Sequence, residues 1–585
     1  MLIDLDDMFH LNLAVVVNPI KPLIIPRTNV RRISLFSSPS FKLSKGDLEQ
    51  LTTTQLLVKL GFIRQPHAGI TQWLPLGLKT LRNIEELIRK KLDDAGVLEV
   101  SLSSLSHSSL WQKTNRWAND ELYKLNEDYC LAATAEEDIT ALVKEYAQSY
   151  KNLPLQVYQI NRKYRDEKRA RGGLLRGREF IMKDAYSFDV SKTEALKSFN
   201  KFNEIYLSIF QSLKIPFVKA NADAGSIGGD LSYEWHFLSD KGEDTLYTCD
   251  NCGTTGNVEK IRPYVDLDAQ SAPKAQVTYC LTTGGSLVVF YYPVDRKLNI
   301  RLFESLKLVH LNTKLRNQNK IVDAFRQRQQ DSDGWANIIR VYDVGCGNNT
   351  LYPELPVKAD TRFTTDFRCL DITDVQENDL CPACGGGGHL HSSKGIEVGH
   401  TFYLGKKYSI PLDAKFSDKN GRMHYYDMGC YGIGVSRLLG SIAEVLRDDK
   451  GLRWPATIAP FHVSLIRAGK NADRSVDREQ KVEELVQKLH NRHIEVSIGD
   501  ENFTFAQNMN VSKALGIPLQ VIVGRSYPML EIEIRGNVSG EIGKKQLEER
   551  AGELGISHTE RNGFEKYLVN IQHADDVIDL LLRDM

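Results

Sequence analysis

A chain of 585 residues with a formal net charge of zero, 42% hydrophobic and 26% charged, has room for about three or four domains of ordinary globular composition. Neutrality excludes a protein that grips nucleic acid over its whole surface, although it leaves room for a local basic face. No window of about 18 continuous apolar residues occurs, so neither a transmembrane helix nor membrane insertion is expected.

Residues 1–46 stand apart from the rest. Asp4, Asp6 and Asp7 come first. From Met8 to Gly46 there is then no acidic residue, while Lys21, Arg27, Arg31, Arg32, Lys42, Lys45 and the serine-rich RRISLFSSPS follow one another. Acid-free, Arg- and Ser-rich N-termini read as mitochondrial transit peptides. Met8 is then the working start and the mitochondrial matrix the destination; a disordered tail is the alternative. Beyond it, LKTLRNIEELIRKKLDDAG repeats Leu81, Ile84, Leu87 and Ile88 at helical spacing, and Gly96 ends the pattern. Two strand-like pieces, VYQINRKYRDE and REFIMKDAYSF, flank an arginine-rich loop, and a helix is predicted around TEALKSFNKFNEIYLSIFQSL. Residues 265–378 change character, with the β-like runs QVTYCL and SLVVFYYP and a polar helical stretch. After glycine-rich text at 395–440, strands (FHVSLIRAG, HIEVSIGD, LQVIVG, MLEIEIRG) alternate with helices near 476–491, 503–514 and 570–583, the pattern of a compact α/β domain.

Nine cysteines, an odd number with no signal peptide, argue against a disulfide framework. Cys249/Cys252 and Cys381/Cys384 form two CxxC pairs on either side of the 265–378 insert. Four thiolates at such spacing can hold a structural zinc; free cysteines are the other reading.

Tyr164-Arg165-Asp166-Glu167, a basic loop, then Arg176-Gly177-Arg178-Glu179-Phe180 resembles motif 2 of class II aminoacyl-tRNA synthetases. GIGVSR, with Gly432, Gly434 and Arg437, resembles their motif 3. Further blocks are similar to prolyl-tRNA synthetases of the bacterial type, in a mitochondrial member: WLPLGLKTLRNIEELIR (73–89), GEDTLYTCDNCGTTGNVE (242–259), KGIEVGHTFYLGKKYS (394–409) and WPATIAP (454–460). The resemblance covers about 47–264 and 379–585. It implies an α+β core, an antiparallel sheet flanked by helices. The division would be 1–46 leader, 47–264 and 379–455 catalytic domain, 265–378 shortened editing-like insertion, and 456–585 anticodon-binding domain.

The implied reaction joins proline to tRNA(Pro) with ATP and Mg2+, in a homodimer. Two anions react and charge spreads on the phosphorus oxygens, so fixed positive charge is what the protein must supply. The resemblance assigns Arg165 and Arg437 to catalysis. Glu167 and Phe180 would hold adenine, Arg176 and Arg437 the γ-phosphate, and Gly432 and Gly434 would admit the nucleotide; Arg437 would also cover the adenine by cation–π contact. Glu167, two residues along a strand from Arg165, is expected on the same face. Lys168, Arg169 and Arg171 belong either to a solvated loop or to a contact with the tRNA acceptor end. Thr134, Glu136 and His400 would read proline, with Cys430 lining the pocket but not acting as a nucleophile.

The chain departs from the family pattern at several points. Ala133 and Ala135 replace a Pro and a His beside Thr134. Ser103 stands where a dimer-interface proline is usual. FTFAQNM (503–509) replaces a Gly-Val-Lys-Phe-like stretch, and Thr278 takes the place of an editing lysine, so the insert is expected not to edit. A catalytically inactive paralogue that binds tRNA or a partner protein is the alternative reading. A free-standing amino-acid ligase is a third, against which the C-terminal domain argues.

Overall fold

The computed structural model describes Leu48 and residues 50–585, except 171, 226, 230, 266–273, 313–314, 332–335, 347–349, 469–474, 537–541, 562–563 and 584. The expected leader with its Met8 start lies outside the described residues, as does Arg171 of the basic loop.

Pro75, fixed at a helical φ and needing no hydrogen-bond partner at the first turn, opens α1 (Pro75–Asp94), and Gly96 at φ +74° turns the chain away after it. A short strand β1 (Leu98–Glu99) follows, then α2 (Glu136–Tyr146). The predicted arginine hairpin is β2 (Leu155–Tyr164) and β3 (Glu179–Asp189). Ser191 caps α3 (Lys192–Ser212), the predicted helix. Next come β4 (Phe217–Asn221), β5 (Leu231–Leu238), β6 (Asp244–Cys249) and β7 (Thr255–Asn257). The insert holds β8 (Ala275–Leu281), β9 (Leu287–Pro293), α4 (Gln318–Asp331), β10 (Ile338–Asp343) and β11 (Thr364–Leu370). Its four strands form a sheet of their own in sequence order, with Leu287, Val289 and Tyr291 of β9 buried in one cluster with Ile321 and Phe325 of α4. After the insert come β12 (Leu390–Gly405), β13 (Asp427–Gly434) and α5 (Val435–Leu446).

Among the described residues nine strands make the main sheet, in the order β6-β7-β4-β5-β12-β13-β3-β2-β1, with β6 also paired to β12. Only β7–β4 and β2–β1 pair in parallel. The expected antiparallel sheet flanked by helices is therefore what the chain forms. On one face, Leu81, Ile84 and Ile88 of α1, Phe202 and Phe210 of α3, and Leu438 and Ile442 of α5 share one core. The other face is left for α2 and the polar residues described below.

Gly77 in α1 fits only because it lacks a side chain: a Cβ there would lie 2.1 Å from the Phe62 carbonyl oxygen. Gly77→Ala is expected to lower unfolding stability by about 1–3 kcal/mol; an unchanged melting temperature would contradict this close approach.

The C-terminal part contains β14 (Val463–Arg467), α6 (Val476–Asn491), β15 (Val496–Ile498), α7 (Phe505–Leu515), β16 (Leu519–Val523), β17 (Met529–Ile534), β18 (Ser557–Arg561), β19 (Phe564–Asn570) and α8 (Ala574–Leu582). The sheet order is β15-β14-β16-β17-β19-β18, parallel through β15, β14 and β16 and antiparallel beyond. Trp454 and Ile458 sit in the same core as α1, together with Ala514 and Ile517. Lys79 pairs with Glu495 at 2.8 Å, and Arg535 forks onto Asp448 with both bonds at 2.6 Å.

Candidate active site

Strand β2 stops at Tyr164, three residues before the sequence places its end. The Arg165 N–H still donates to the Arg178 carbonyl (2.9 Å), but the Glu167 N–H turns back onto the Arg165 carbonyl (2.7 Å). That i→i+2 bond is a tight turn rather than an extended strand. Strand alternation is therefore not what relates Arg165 to Glu167. The Arg165 guanidinium lies 5.1 Å from the centroid of the Phe180 ring. Burial pulls its pKa below the ordinary value, and the carboxylates of Glu121 and Glu397 oppose this; it remains a cation, because an arginine loses its proton only far above neutral pH. Arg176 Nε donates to Glu167 Oε2 at 2.6 Å. Burial opposes ionisation of Glu167, yet Arg176 holds it below the usual carboxylate range.

The floor of the site is β13. Gly432 and Gly434 face Asp184 and Met182 of β3 in register. A Cβ at Gly432 would find only Met182 Sδ, at 3.9 Å, so this glycine leaves open space on the sheet face. At the start of α5 the Ser436 hydroxyl accepts the Ile181 N–H (2.9 Å), which ties the helix that carries Arg437 to the strand that carries Phe180. Arg437 Nη1 donates to Glu397 at 3.4 Å, and its Nε is buried with no hydrogen-bond partner.

Glu397 reaches this face through a β-bulge. Glu397 pairs with His236 and Gly399 with Trp235, so Val398 is the extra residue. The bulge turns Glu397 onto the face of His400, with 3.4 Å between its carboxylate and His400 Nδ1. Glu234 lies 3.7 Å from the same nitrogen, and one oxygen from each carboxylate and one imidazole nitrogen fall within 4.8 Å of one another. Burial opposes ionisation of Glu397, but His400 and Arg437 hold it at about 2. Burial, and then Glu397, push Glu234 up to about 8. Two carboxylates forced together in this way suit a hard divalent cation.

The third part is the entrance to α2. Glu136 is fully buried, and both of its oxygens lie within reach of the Thr134 hydroxyl (2.7 and 2.8 Å). The Cys430 thiol donates to it at 3.2 Å, and burial pushes that thiol well up, so it stays protonated. Arg116 Nη1 reaches Glu136 at 3.1 Å and Glu137 at 3.1 and 3.2 Å. One cation thus serves two buried carboxylates. Burial opposes ionisation of Glu136, but Arg116 and Thr134 hold it below the ordinary range. Burial lifts Glu137 to about 7 against Arg116, and Glu136 adds to the rise. Beside Arg116 opens a cleft of about 490 Å3, with Glu121 and Lys407 also on its wall. His400 stands two residue pairs along the sheet from Cys430, since Phe402 pairs with Cys430 and His400 with Gly432. Its Nε2 is buried without a partner.

The four CxxC cysteines meet at the base of the insert, with all sulfurs within 4.8 Å of one another. In the insert, Thr278 bonds its hydroxyl to that of Tyr292 (2.8 Å).

Residues 121–446 match the tRNA synthetase class II core domain (G, H, P, S and T). A Saccharomyces cerevisiae protein named "Probable proline–tRNA ligase, mitochondrial" is 43% identical over 96% of this chain and 99% of its own length. The chain belongs to the prolyl-tRNA synthetase family. A Candida albicans relative named as a cytoplasmic proline–tRNA ligase is 39% identical over 85% of this chain and 87% of its own. The proline–tRNA ligase of Persephonella marina is 34% identical over 87% and 97%. Among solved structures, the prolyl-tRNA synthetase of Cryptosporidium parvum, complexed with L-proline and AMP, matches with a TM-score of 0.55 at 14% identity, over 91% of this chain and 74% of that one; at that identity the likeness speaks for the fold.

For a member of this family, the candidate residues fall into four groups. Arg165, Phe180, Gly432, Gly434 and Arg437 gather at one end of the sheet face. Arg176 and Glu167 pair at the basic loop, and Thr134 and Glu136 lie at the start of α2. His400 sits with Glu234 and Glu397, between the others. Sequence reasoning missed Arg116, Glu234 and Glu397. The arginine stands beside Lys113 in LWQKTNRW, where nothing sets it apart from a surface charge; a bulge has no signature in a single sequence.

Proposed function

We propose that this chain is a proline–tRNA ligase. The carboxylate oxygen of proline attacks the α-phosphorus of ATP. The bond to the bridging oxygen breaks, and prolyl-adenylate and pyrophosphate result. The 3′-terminal hydroxyl of tRNA(Pro) then attacks the prolyl carbonyl and AMP leaves. The observation that carries the reading is a buried, ionised Glu136, held by Thr134 and Arg116, with the Arg165 cation in electrostatic reach of it.

In this proposal Arg165 spans the reacting carboxylate and the α-phosphate, and Arg437 and Arg176 hold the outer phosphates. The guanidinium fork suits both tasks. Glu167 and Phe180 take the adenine, against glycines 432 and 434. Glu136 and Thr134 bind the secondary ammonium of proline, a charge-assisted pairing inside a dry pocket, and His400 Nε2 faces the substrate. Mg2+ fits Glu234 and Glu397, where it would neutralise phosphate charge as it develops. A structural Zn2+ on the cysteine cluster completes the proposed cofactors.

The division at 46, 264, 378 and 455 is part of the proposal, as is an anticodon-reading role for the last segment. The insert, with Thr278 tied to Tyr292, is proposed not to hydrolyse mischarged tRNA; rapid loss of alanyl-tRNA on adding the pure protein would refute that. A homodimer is supported by the open edge strand β1, where Leu98 and nearby Leu105 are 59% and 51% exposed. The acid-free leader and the mitochondrial relative support import into the matrix.

Proline-dependent exchange of pyrophosphate into ATP, run beside alanine and cysteine, tests the ligase reading. Exchange with proline far above both others, followed by charging of tRNA(Pro), is the expected result. No exchange from folded protein would make it an inactive paralogue.

A further inference from the structure

We infer that Cys249, Cys252, Cys381 and Cys384 form a closed tetrathiolate zinc site that clamps the two chain crossings at the base of the insertion. The claim stands apart from the ligase reading, because adenylate formation needs no thiolate.

The sulfur geometry is the first argument. Cys249 Sγ lies 3.8 Å from Cys384 Sγ, and Cys252 Sγ lies 3.8 Å from Cys381 Sγ. A tetrahedron with zinc–sulfur bonds of about 2.3 Å has sulfur–sulfur edges of about 3.8 Å. A disulfide would bring one pair to about 2.05 Å. No pair is so joined: all four cysteines are free.

The backbone is the second. Each CxxC is followed by a left-handed glycine, Gly253 at φ +67° and Gly385 at φ +61°. The Gly253 N–H returns to the Cys249 carbonyl (3.1 Å) and the Gly386 N–H to the Cys381 carbonyl (2.9 Å). Both loops curl in this way around their own sulfurs. They are also bound to each other: Asn251 Nδ2 donates to the Gly387 carbonyl (3.1 Å), and the His389 N–H to Asp250 (2.8 Å). Gly388 keeps its place because a Cβ there would sit 2.7 Å from Cys249 Sγ.

The third argument is what else holds this region. Its core is small: Tyr247, Cys249, Ile261, Val375, Cys381 and Leu390 are its buried residues, and two of the six are the cysteines themselves. A cluster of that size does little by itself to fix two crossings that are 129 positions apart in sequence, from Cys252 to Cys381, and small cores are where structural metals are found. The crossings meet here. Tyr264, leaving the sheet, donates its N–H to Leu380, returning to it (2.8 Å). Four protein ligands and no open position make the site structural rather than catalytic.

The test uses the full chain purified without added metal or chelator. Elemental analysis should give about one zinc per chain. Titration with a mercurial should release that zinc as four thiols react. Protein grown with cobalt should show the thiolate-to-cobalt charge-transfer and tetrahedral ligand-field bands. Cys252→Ser with Cys384→Ser should lose the metal and expose residues 258–264 and 376–390 to rapid hydrogen exchange and proteolysis. Less than about a tenth of a zinc per chain, stoichiometric iron instead, or a disulfide in the protein as isolated would each overturn the inference. So would a metal-free double variant with wild-type exchange at the base of the insert. None of these outcomes depends on whether proline is activated.

Discussion

Arg165→Ala is expected to lower proline-dependent ATP–pyrophosphate exchange by about 10³-fold or more, while circular dichroism and the melting curve stay close to wild type. The guanidinium lies over Phe180 and is half-buried, and its described polar contact is a long one, Nε to the Ala133 carbonyl at 3.4 Å. A cation placed this way contributes little to folding, so its charge and fork are available to the reacting carboxylate and phosphate. Arg165→Lys keeps the charge and loses the bidentate fork, so a loss of about 10²-fold is expected. Exchange within tenfold of wild type for the alanine variant would remove Arg165 from the chemistry.

The second large effect falls on Arg116. Arg116→Met leaves Glu136 and Glu137 buried without their shared cation, which should cost about 3–5 kcal/mol of stability and raise the KM for proline at least about tenfold, because Glu136 then loses its charge or its position. Glu137→Gln separates the two roles. Glu137 titrates near 7 in the fold, above the ordinary carboxyl value of 4.5. Over that interval the folded state holds a proton that the unfolded chain has lost, so wild-type stability falls as pH rises from about 5 to about 7. The glutamine variant lacks this slope. Its stability relative to wild type should rise by up to about 3 kcal/mol between pH 5 and pH 8, read by urea unfolding at the two values. Parallel curves for the two proteins would show that Glu137 is not protonated in this way.

The arginine hairpin, the glycine strand and the long helices were legible because each is a local pattern. Leu81, Ile84 and Ile88 announce a helix face, and the β-branched and aromatic residues of VYQI and FIMKDAYSF mark β2 and β3 on either side of the basic loop. What the sequence concealed is non-local or irregular. Strand β2 was expected to continue through Glu167, but the turn at Asp166 depends on a bond from its N–H to the Glu121 carbonyl (2.8 Å), 45 residues away in the chain. The β18–β19 hairpin was missed because its first strand, SHTER, is polar along its length and lacks the apolar alternation by which a strand is recognised. Arg116 could not be found by spacing, since it meets Glu136 and Glu137 only after the chain from β1 folds back over α2. The two CxxC pairs were visible as pairs. That their sulfurs converge on one point depends on the pairing of β6 with β12, which joins segments on opposite sides of the insert.

The irregularity at Val398 bears on how this protein can change over time. A strand reverses the outlook of its side chains with every residue, so gaining or losing one residue between Glu397 and His400 would turn Glu397 away from His400 to the opposite face of the sheet while leaving every letter around it intact. Substitutions there adjust the chemistry by degrees; a change of length abolishes it at a stroke. Descent should therefore hold the interval between Glu397 and His400 more tightly than the identity of the two residues that fill it.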